Sequence, residues 1–270
     1  IKKYDKYGNY LTTIVKHGMG PGEVSRYFIF VVDSSFITIC DKQKQVLEQY
    51  SLNGDYCKSY KLDVNGLNVW ELVNKESRYY LCYKDNKNAV NNIRIFNRSL
   101  EPIESLSLGE IFKEASTPWE TYYIQRSLEG RLLIDDRFMF YTPMGRYSIF
   151  RYAKNGNLNM VINKRCLITP DAYIDLKIVP GGMGYIYSYY PTMLERVNDY
   201  LVIALYFKEK KAGIGSIIDI FSLEGDLLAS RHFKEDLRFQ WIDNNKNIYG
   251  ILHSEEGNEK IIKYSLVLNK

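Results

Sequence analysis

The chain has 270 residues, of which 46% are hydrophobic and 25% are charged, a composition that excludes a disordered or collagen-like chain. Its 36 basic and 32 acidic residues give a net charge of +4, which is too mild to predict nucleic-acid binding. No apolar run is long enough for a transmembrane helix. A single domain of this size buries about three quarters of the surface of its unfolded chain, so it does not need disulfides or metals for stability.

One kind of hairpin recurs along the chain. An apolar run ends in an aromatic residue, a short polar turn follows, and another strand-like run begins. Glycine after a polar residue between alternating apolar positions is typical of such hairpins. The segments are Tyr4–Gly8, Tyr50–Gly54, Phe96–Leu100, Tyr152–Gly156, Phe221–Gly225 and Tyr264–Leu268.

A second kind of hairpin, with apolar runs on both sides of a polar turn, alternates with the first. Its examples are Val31–Ile37, Val73–Tyr79, Ser127–Leu133, Val197–Val202 and Ile242–Tyr249. Each pair of hairpins makes four antiparallel strands in a unit of about 40–45 residues, which is typical of a propeller blade. The sequence therefore predicts an all-β fold, a β-propeller of four-stranded antiparallel blades forming one domain over residues 1–270.

The number of blades depends on how the ring closes. The N-terminal hairpin has the pattern of the outer half of a blade whose inner strands are absent. A five-bladed ring closed by the two terminal strands is one solution, since joining the termini removes exposed edges. We favour the other, a six-bladed ring in which the N-terminal blade is incomplete.

Two blades carry insertions, near residues 108–123 and 166–195, and long loops in compact domains are often functional. The second contains a glycine-rich stretch followed by four tyrosines. Tyr185 and Tyr187 are candidates for a ligand-facing lip, since tyrosine gives rigid amphipathic contact area. The alternative is a loop that packs its own aromatic residues against a blade.

A family resemblance rests on the first 62 residues. The hairpin Tyr4–Tyr10 leads into His17–Glu23, which reads HGMGPGE, and Asp41 and the hairpin Tyr50–Asp55 complete the pattern. This segment resembles the bacterial six-bladed β-propeller family related to NHL-repeat proteins. The resemblance implies a six-bladed ring and an exported or lipid-anchored, extracytoplasmic protein of a Gram-negative bacterium. It implies no established reaction and no catalytic residue.

The chain begins with Ile1 inside a strand-like run, which we interpret as a processed or trimmed chain, with room for a lipid anchor upstream of residue 1. The glycine-rich segment 18–22 lacks the Gly-Lys-Ser/Thr of a phosphate loop and precedes a strand. We expect it to be a tight link between strands, with glycines at positive φ.

Metal and redox chemistry are not indicated. The cysteines, Cys40, Cys57, Cys82 and Cys166, contain no CxxC spacing, and we expect them to be buried small hydrophobes. One or two disulfides are an alternative in an extracytoplasmic protein. The histidines have no metal-ligand spacing, and we expect no metal and no cofactor. The adjacent pair Asp135–Asp136 is not expected to act as a dyad, since neighbouring strand residues point to opposite faces.

Tryptophan and arginine recur near the innermost strands, which line the central channel of a propeller. The candidate ligand-binding residues there are Arg26, Trp70, Trp119, Arg126, Arg238 and Trp241. Aromatic rings would stack on a sugar or peptide side chain, and arginine would pair with carboxylate or phosphate. The alternative is that each tryptophan packs between blades and each arginine is a solvated strand end.

Two functions compete. The first is a non-enzymatic binding or scaffold propeller that presents its channel mouth and inserted loops to a glycan, peptide or protein. The second is a carbohydrate-active hydrolase or lyase with carboxylate, arginine and tyrosine side chains from several blades. The absence of a nucleophile–base motif favours the binder. Two carboxylates and an arginine at one channel mouth would favour the enzyme, and a flat aromatic top would favour the binder.

Overall fold

The computed structural model describes residues 1–5, 7–62, 67–85, 90–108, 130–143, 148–163, 174–179, 182–187, 189–209, 213–254 and 258–267. Every secondary-structure element in these ranges is a β-strand, which confirms the all-β class. The residues group into two compact units, Ile1–Glu114 and Ala115–Lys270, and each is described by itself. The single domain over residues 1–270 stays a prediction.

The first unit contains two four-stranded antiparallel sheets, preceded by a hairpin and a short parallel pair. The hairpin and the parallel pair are β1 (Lys2–Tyr4) with β2 (Tyr10–Thr13), and β3 (Lys16–His17) with β4 (Glu23–Val24). The first sheet is β5 (Phe28–Val32), β6 (Phe36–Asp41), β7 (Val46–Ser51) and β8 (Tyr56–Lys61). The second sheet is β9 (Leu67–Lys75), β10 (Arg78–Asp85), β11 (Val90–Phe96) and β12 (Pro102–Ser107).

The second unit contains two four-stranded sheets, one three-stranded sheet and a hairpin. The first sheet is β13 (Gly130–Ile134), β14 (Phe138–Pro143), β15 (Ser148–Ala153) and β16 (Leu158–Asn163), and the hairpin is β17 (Ile174–Val179) with β18 (Gly182–Tyr187). The second sheet is β19 (Tyr189–Val197), β20 (Tyr200–Glu209), β21 (Gly213–Ser222) and β22 (Leu227–Phe233). The three-stranded sheet is β23 (Leu237–Ile242), β24 (Asn247–His253) and β25 (Glu259–Ser265).

Burial falls from the middle strands of each sheet to the fourth strand. β6 and β7 are buried along most of their length, whereas β8 and β12 are mostly exposed. The strand sequences follow this burial, because the buried β6 reads FITICD and the exposed β8 reads YCKSYK. Strands covered on both faces become continuous apolar runs, and strands that meet water keep polar positions. Within each unit, the strands with continuous apolar runs therefore form the packed layers between neighbouring sheets.

Apolar cores fill the space between neighbouring sheets within each unit. In the first unit, Cys40 and Leu47 of the first sheet pack with Leu81 and Phe96 of the second. The second unit has two such cores, one containing Phe140, Ile149, Leu201 and Ile203, the other Val202, Ala204, Leu237 and Phe239. Burying one large apolar side chain contributes about 1.5–3 kcal/mol, so these layers supply the main stabilisation.

An aspartate begins the turn between the first and second strands of three sheets. Oδ1 of Asp33 accepts hydrogen bonds from the N–H groups of Ser35 and Phe36 at 2.7 and 2.8 Å. Asp135 and Asp243 occupy the same place in the second unit and accept backbone N–H groups in the same way. Aspartate favours such turns because its short side chain replaces a backbone acceptor.

The glycine-rich segment folds over its own glutamate. The N–H of Gly20 donates to Oε2 of Glu23 at 2.9 Å, and a Cβ on Gly18 would overlap the same carboxylate. Gly22 has a φ of +73°. Nζ of Lys44 then donates to the backbone oxygen of Glu23 at 2.7 Å. The expected structural link is confirmed, although only Gly22 supplies the positive φ while Gly18 and Gly20 leave room for the glutamate.

The carboxylate of Asp41 lies beneath this loop with no solvent exposure. It accepts the N–H and the hydroxyl of Ser25, each at 2.7 Å, and the N–H groups of Gln43 and Lys44 at 3.0 and 2.9 Å. Burial by itself raises the pKa of Asp41, but these hydrogen bonds prevail and hold the pKa below its usual value. This motif residue is therefore a structural anion.

The predicted hairpins are found with three differences. The predicted turn at Ser127–Leu133 is wrong at Gly130, which is the first residue of β13, and the turn of that sheet comes at Asp135. A Cβ at Gly130 would overlap the backbone of Thr142, so this glycine permits a close strand approach. β25 ends at Ser265, and the described residues show no strand after it.

The third difference concerns the insertion near 166–195. Its described part is not a structureless loop, because β17 pairs with β18 and the inner strand β19 begins at Tyr189. The insertion near 108–123 lies outside the described residues except for Leu108, which is buried.

The cysteines match the expectation in part. Cys40 and Cys82 are buried and free, and burial raises the pKa of Cys40 to about 12. Cys57 is also free, but it is exposed because it lies on the outer strand β8. Cys166 lies outside the described residues.

Candidate functional site

The predicted site residues lie in different environments. Arg26 is exposed between β4 and β5, and Trp70 is only 7% exposed on β9, as the packing alternative expects. Trp119 and Arg126 lie outside the described residues. Tyr185 and Tyr187 belong to β18, and their side chains lie outside the described part. Arg238 and Trp241 lie together on β23.

β23 is an edge strand, since its sheet has the order β23–β24–β25. The register is Phe239↔Gly250, Trp241↔Tyr249 and Ile242↔Ile248, with a shift between Phe239 and Trp241. This shift is a β-bulge at Gln240, where one extra residue interrupts the alternation of faces.

The bulge places Arg238 and Trp241 on the same face of β23. Leu237, Phe239 and Ile242 pack into the core shared with the preceding sheet. Arg238 pairs with Ile251 and Trp241 with Tyr249, both on the opposite face of β24. In a regular strand, residues three apart would point to opposite faces. A single inserted residue thus assigns a cation and an aromatic ring to one face of one edge strand.

Trp241 forms the end of a row of stacked groups. Its ring stacks on Tyr249 with centroids 4.9 Å apart and planes 8° from parallel, and Nζ of Lys263 lies 5.9 Å from the Tyr249 centroid. Trp241 is 41% exposed. Because β23 is the edge strand, no strand of this sheet within the described ranges covers the far side of the indole. The row therefore ends in an open aromatic surface.

Hydrogen bonds fix the middle of the row. The Tyr249 hydroxyl donates to Oδ2 of Asp243 at 2.9 Å, and the amide of Asn247 donates to both oxygens of that carboxylate, at 3.1 and 2.9 Å. The side-chain and backbone hydrogen bonds from Asn247 lower the pKa of Asp243 to about 2. The same bond from Tyr249 raises the pKa of the tyrosine. Tyr249 is thus held in one orientation, and Trp241 with it.

Arg238 reaches the neighbouring sheet of the second unit. Its guanidinium carbon lies 4.6 Å from the centroid of Tyr206, and Tyr206 packs on Tyr190 with centroids 5.0 Å apart. Nε of Arg238 lies 3.6 Å from Oδ1 of Asp236. Burial raises the pKa of both Tyr190 and Tyr206, and hydrogen bonding to the Asp236 carboxylate also raises that of Tyr206. Both tyrosines are therefore neutral donors at neutral pH.

A different carboxyl group lies further along β19. Burial raises the pKa of Glu195, and the positive charge of Arg131 partly offsets this effect. Arg131 is on β13, the first strand of the adjacent sheet, and β13 packs against β19. Glu195 is a half-buried acid on an inner strand.

Other polar groups in the described residues serve the structure. Asp135 is buried and pairs with Arg196 at 2.8 Å, while Asp136 is exposed. The expectation that the pair does not act as a dyad rested on strand alternation, but the two aspartates lie in a turn after β13, so it stays a prediction. His17 and His232 are exposed, and Nδ1 of His253 lies 3.2 Å from Glu259. No group of His, Cys, Asp and Glu within the described ranges could hold a metal ion.

The site therefore consists of two adjoining parts at the β23 edge, the Trp241–Tyr249 stack and the Arg238–Tyr206–Tyr190 cluster with Asp236. The sequence indicated Arg238 and Trp241 only. Tyr206 and Tyr249 were missed, because they join the site through pairing across strands. A local signal existed for Tyr249, which is flanked by apolar core positions in the predicted hairpin Ile242–Tyr249.

Comparison with known proteins identifies the family. Residues 4–161, more than half of the chain, match the sequence profile of DUF5128, described as a 6-bladed beta-propeller. The chain belongs to this family. The match confirms the six-bladed propeller predicted from the sequence, while the relation to NHL-repeat proteins stays a prediction. No curated protein sequence matches the chain.

Solved structures similar to this family member share its fold. A member of the duf4221 family from Bacteroides vulgatus has a TM-score of 0.57 at 10% identity and covers 98% of this chain and 86% of its own. A Bacteroides fragilis protein named "Putative exported protein" has a TM-score of 0.55 at 12% identity, covering 92% and 72%. The subtype N10 neuraminidase-like protein of a bat influenza A virus has a TM-score of 0.50 at 11% identity, covering 91% and 82%.

These similarities are to proteins of diverse kinds and show the propeller fold alone. In the part of the chain that the structure describes, no helix has the length and apolar character to cross a bilayer.

Proposed function

We propose that this propeller is a non-enzymatic binding protein whose ligand contacts the β23 edge. In a propeller the first strand of each blade lines the central channel, so β23 belongs to the surface that ligands reach in this fold. The observation that carries the proposal is the fixed, half-exposed indole of Trp241, stacked on Tyr249.

The Trp241 ring is positioned without contributing to the core. Its neighbours in sequence, Phe239 and Ile242, supply the apolar packing of β23. A large aromatic side chain left half in water loses much of the stabilisation that burial would provide. A ring that is already oriented adds little ordering cost when a flat ligand stacks on it. Such a platform suits a sugar ring or a flat peptide side chain.

The neighbouring cluster supplies polar groups for orientation. Arg238 and the hydroxyl of Tyr190 are donors, and Asp236, which accepts the hydroxyl of Tyr206, is an acceptor. Ligand sites combine apolar surface with a few placed polar groups of this kind. This combination at one edge supports binding.

An extracytoplasmic location forms part of the proposal. It is supported by the name of the B. fragilis neighbour and by the family resemblance of the first 62 residues. A protein displayed outside the cytoplasm would meet glycans, peptides or other proteins. A lipid anchor upstream of residue 1 is a further element of this proposal.

One observation favours the second candidate, a carbohydrate-active hydrolase or lyase. Glu195 has a raised pKa on an inner strand, which is the property of a general acid. A glycosidase needs two carboxyl groups at a defined separation, however, and the described geometry supplies Glu195 alone at this position. Binding is therefore the better supported function.

The experiment is a thermal-shift screen of the protein against oligosaccharides and peptides, followed by calorimetry on each hit. A ligand at 100 times its Kd adds about 2.7 kcal/mol, which raises the Tm by roughly 5–10 °C at about 2–4 °C per kcal/mol. We expect Trp241→Ala to weaken binding at least tenfold. Tyr27→Ala is the control, since Tyr27 is an exposed aromatic residue in the other unit.

Two results would contradict the proposal. Equal loss of binding in the Tyr27 and Trp241 variants would show that the ligand does not bind specifically at the β23 edge. Turnover of a bound oligosaccharide that disappears in Glu195→Gln would establish the enzyme instead.

A further inference from the structure

We infer that the β23 edge binds an acidic oligosaccharide, with a sugar ring stacked on Trp241 and the carboxylate of a uronic acid paired with Arg238. This inference rests on the proposed binding function and names the ligand class for the same site. Its basis is the partly exposed guanidinium of Arg238, the bulge at Gln240 and the spacing of Arg238 and Trp241 along β23.

The guanidinium of Arg238 has donors to spare. One face of the group lies over Tyr206, and its Nε is 3.6 Å from Asp236. Among the described residues Asp236 is its only carboxylate neighbour, and the Tyr206 hydroxyl also hydrogen-bonds the guanidinium. The terminal nitrogens form no ion pair with a described carboxylate. About a third of the side chain, 37%, is exposed. The fork of an arginine matches a carboxylate through two parallel hydrogen bonds, and stacking on an aromatic ring fixes its plane.

The acidic groups near the edge are already engaged. Asp243 is saturated by Asn247, Tyr249 and backbone N–H groups, and Glu259 lies next to His253. Lys263, at the far end of the stacked row, forms no ion pair with a described carboxylate. Arg238 is therefore the cation at the β23 edge whose terminal nitrogens can take the carboxylate of a ligand, while Lys263 lies two strands away on β25.

The spacing selects a chain of sugars over a single small anion. Arg238 and Trp241 are three positions apart, or about 7–10 Å along a strand that contains one bulged residue. A small anion bound at Arg238 would leave the backbone position of Trp241 about 7–10 Å away along the strand. Adjacent sugars in an extended oligosaccharide can occupy both places. Bulges next to functional sites commonly redirect a side chain in this way.

A peptide is the less favoured occupant. An acidic peptide would satisfy Arg238, but its stacking on Trp241 would need an aromatic or proline side chain at one fixed spacing. Every ring of an oligosaccharide offers a flat apolar face, so stacking does not depend on sequence register. The observations therefore favour the glycan, and peptide binding is one outcome of the test.

The test uses three uronic acid tetrasaccharides, of galacturonate, of mannuronate and of hyaluronan, each beside its carboxyl-reduced neutral form. Affinities are measured by calorimetry for the wild-type protein, Arg238→Gln and Trp241→Ala. We expect at least one acidic tetrasaccharide to bind, and its neutral form to bind about 10- to 100-fold more weakly, the range for a lost charged hydrogen bond.

The two variants separate the roles of the side chains. Arg238→Gln should abolish the preference for the acidic form, so that the ratio of acidic to neutral affinity falls to about one. Trp241→Ala should weaken both forms by similar factors. Raising the salt concentration should weaken the acidic form selectively, since ion pairs at a surface are screened. Tm values of both variants near that of the wild type show that each is folded.

Each contrary result would overturn a different part of the inference. Equal binding of acidic and neutral forms overturns the acidic class and leaves the proposed binding function standing. An acidic preference that survives in Arg238→Gln overturns the assignment to this edge. Failure of all six sugars at 1 mM, or tighter binding of a pentaglutamate peptide, overturns the glycan altogether.

Discussion

Replacing Asp41 by Asn tests the structural role of the glycine-rich motif most directly. The carboxylate is fully buried and accepts four hydrogen bonds, two from Ser25 and one each from the N–H groups of Gln43 and Lys44. An amide oxygen in the place of Oδ1 can keep three of these bonds, but the NH2 group in the place of Oδ2 faces the N–H of Ser25, which also donates.

The magnitude follows from one unpaired donor and three bonds that lose their charge. A buried donor without a partner costs about 1–3 kcal/mol, and a hydrogen bond to a charged group is stronger than a neutral one by about 1 kcal/mol, with incomplete additivity within one network. We expect a loss of about 3–5 kcal/mol in the free energy of unfolding, in the range for breaking a buried charged network. At about 2–4 °C per kcal/mol, this lowers the Tm by roughly 6–20 °C.

Urea unfolding followed by circular dichroism measures the effect. The matched control is Asp55→Asn, because Asp55 accepts a hydrogen bond from Ser51 at 2.9 Å on the exposed surface. Surface substitutions of this kind change stability by about 0.5 kcal/mol or less. A loss below about 1 kcal/mol for Asp41→Asn would refute the assignment of this carboxylate as the structural anion of the motif.

The stability that Asp41 contributes should decrease as the pH is lowered. The pKa of Asp41 is lower in the folded chain than the value of about 3.9 for an unfolded aspartate. The carboxylate therefore contributes its full stabilisation above about pH 4, and the contribution is lost as the pH falls through the folded pKa. The gap between wild type and Asp41→Asn should narrow on acidification. A gap that widens below about pH 4 would contradict the role of the ionised carboxylate.

Three further predictions concern other described residues. Gly22→Ala should lower the free energy of unfolding in urea by about 1–2 kcal/mol, because the φ of Gly22 is +73°. No atom lies within 4 Å of an added Cβ, so backbone strain is the whole effect. An unchanged unfolding midpoint would count against this strain. Arg196→Ala should cost about 1–3 kcal/mol by leaving Asp135 buried without its cation, and a neutral result would show that the pair is dispensable. Cys57 should react with a thiol reagent in the native protein and Cys40 only after unfolding, with mass spectrometry locating the label; early labelling of Cys40 would contradict its burial.

Local chemistry made most of the fold predictable. The hairpins at Tyr50–Gly54 and Tyr152–Gly156 were identified because polar residues and glycine at a turn restrict the backbone within a few residues. Gly130 was misassigned for the same reason, since a glycine signals either a turn or a close approach of two strands. Only the pairing of β13 with β14 distinguishes these, and that pairing joins residues distant in sequence.

The candidate site was predictable only in part. The rhythm of the repeat located Arg238 and Trp241 on an inner strand, but it located Trp70 there too, and Trp70 is buried. The bulge at Gln240 depends on which residues pair across β23 and β24, and the sequence does not state this register. Tyr206 reaches Arg238 across two sheets of one unit, a contact that no local pattern encodes.

The stack of Trp241 on Tyr249 has a spectroscopic consequence. Two chromophores held nearly parallel at 4.9 Å couple their electronic transitions, so this sheet should contribute a band of its own to the near-ultraviolet circular dichroism. Tyrosine excitation at this distance also passes efficiently to the indole. Trp241 therefore carries a built-in optical signal that reports the melting of the last sheet separately from the first unit, where Trp70 emits from a buried position.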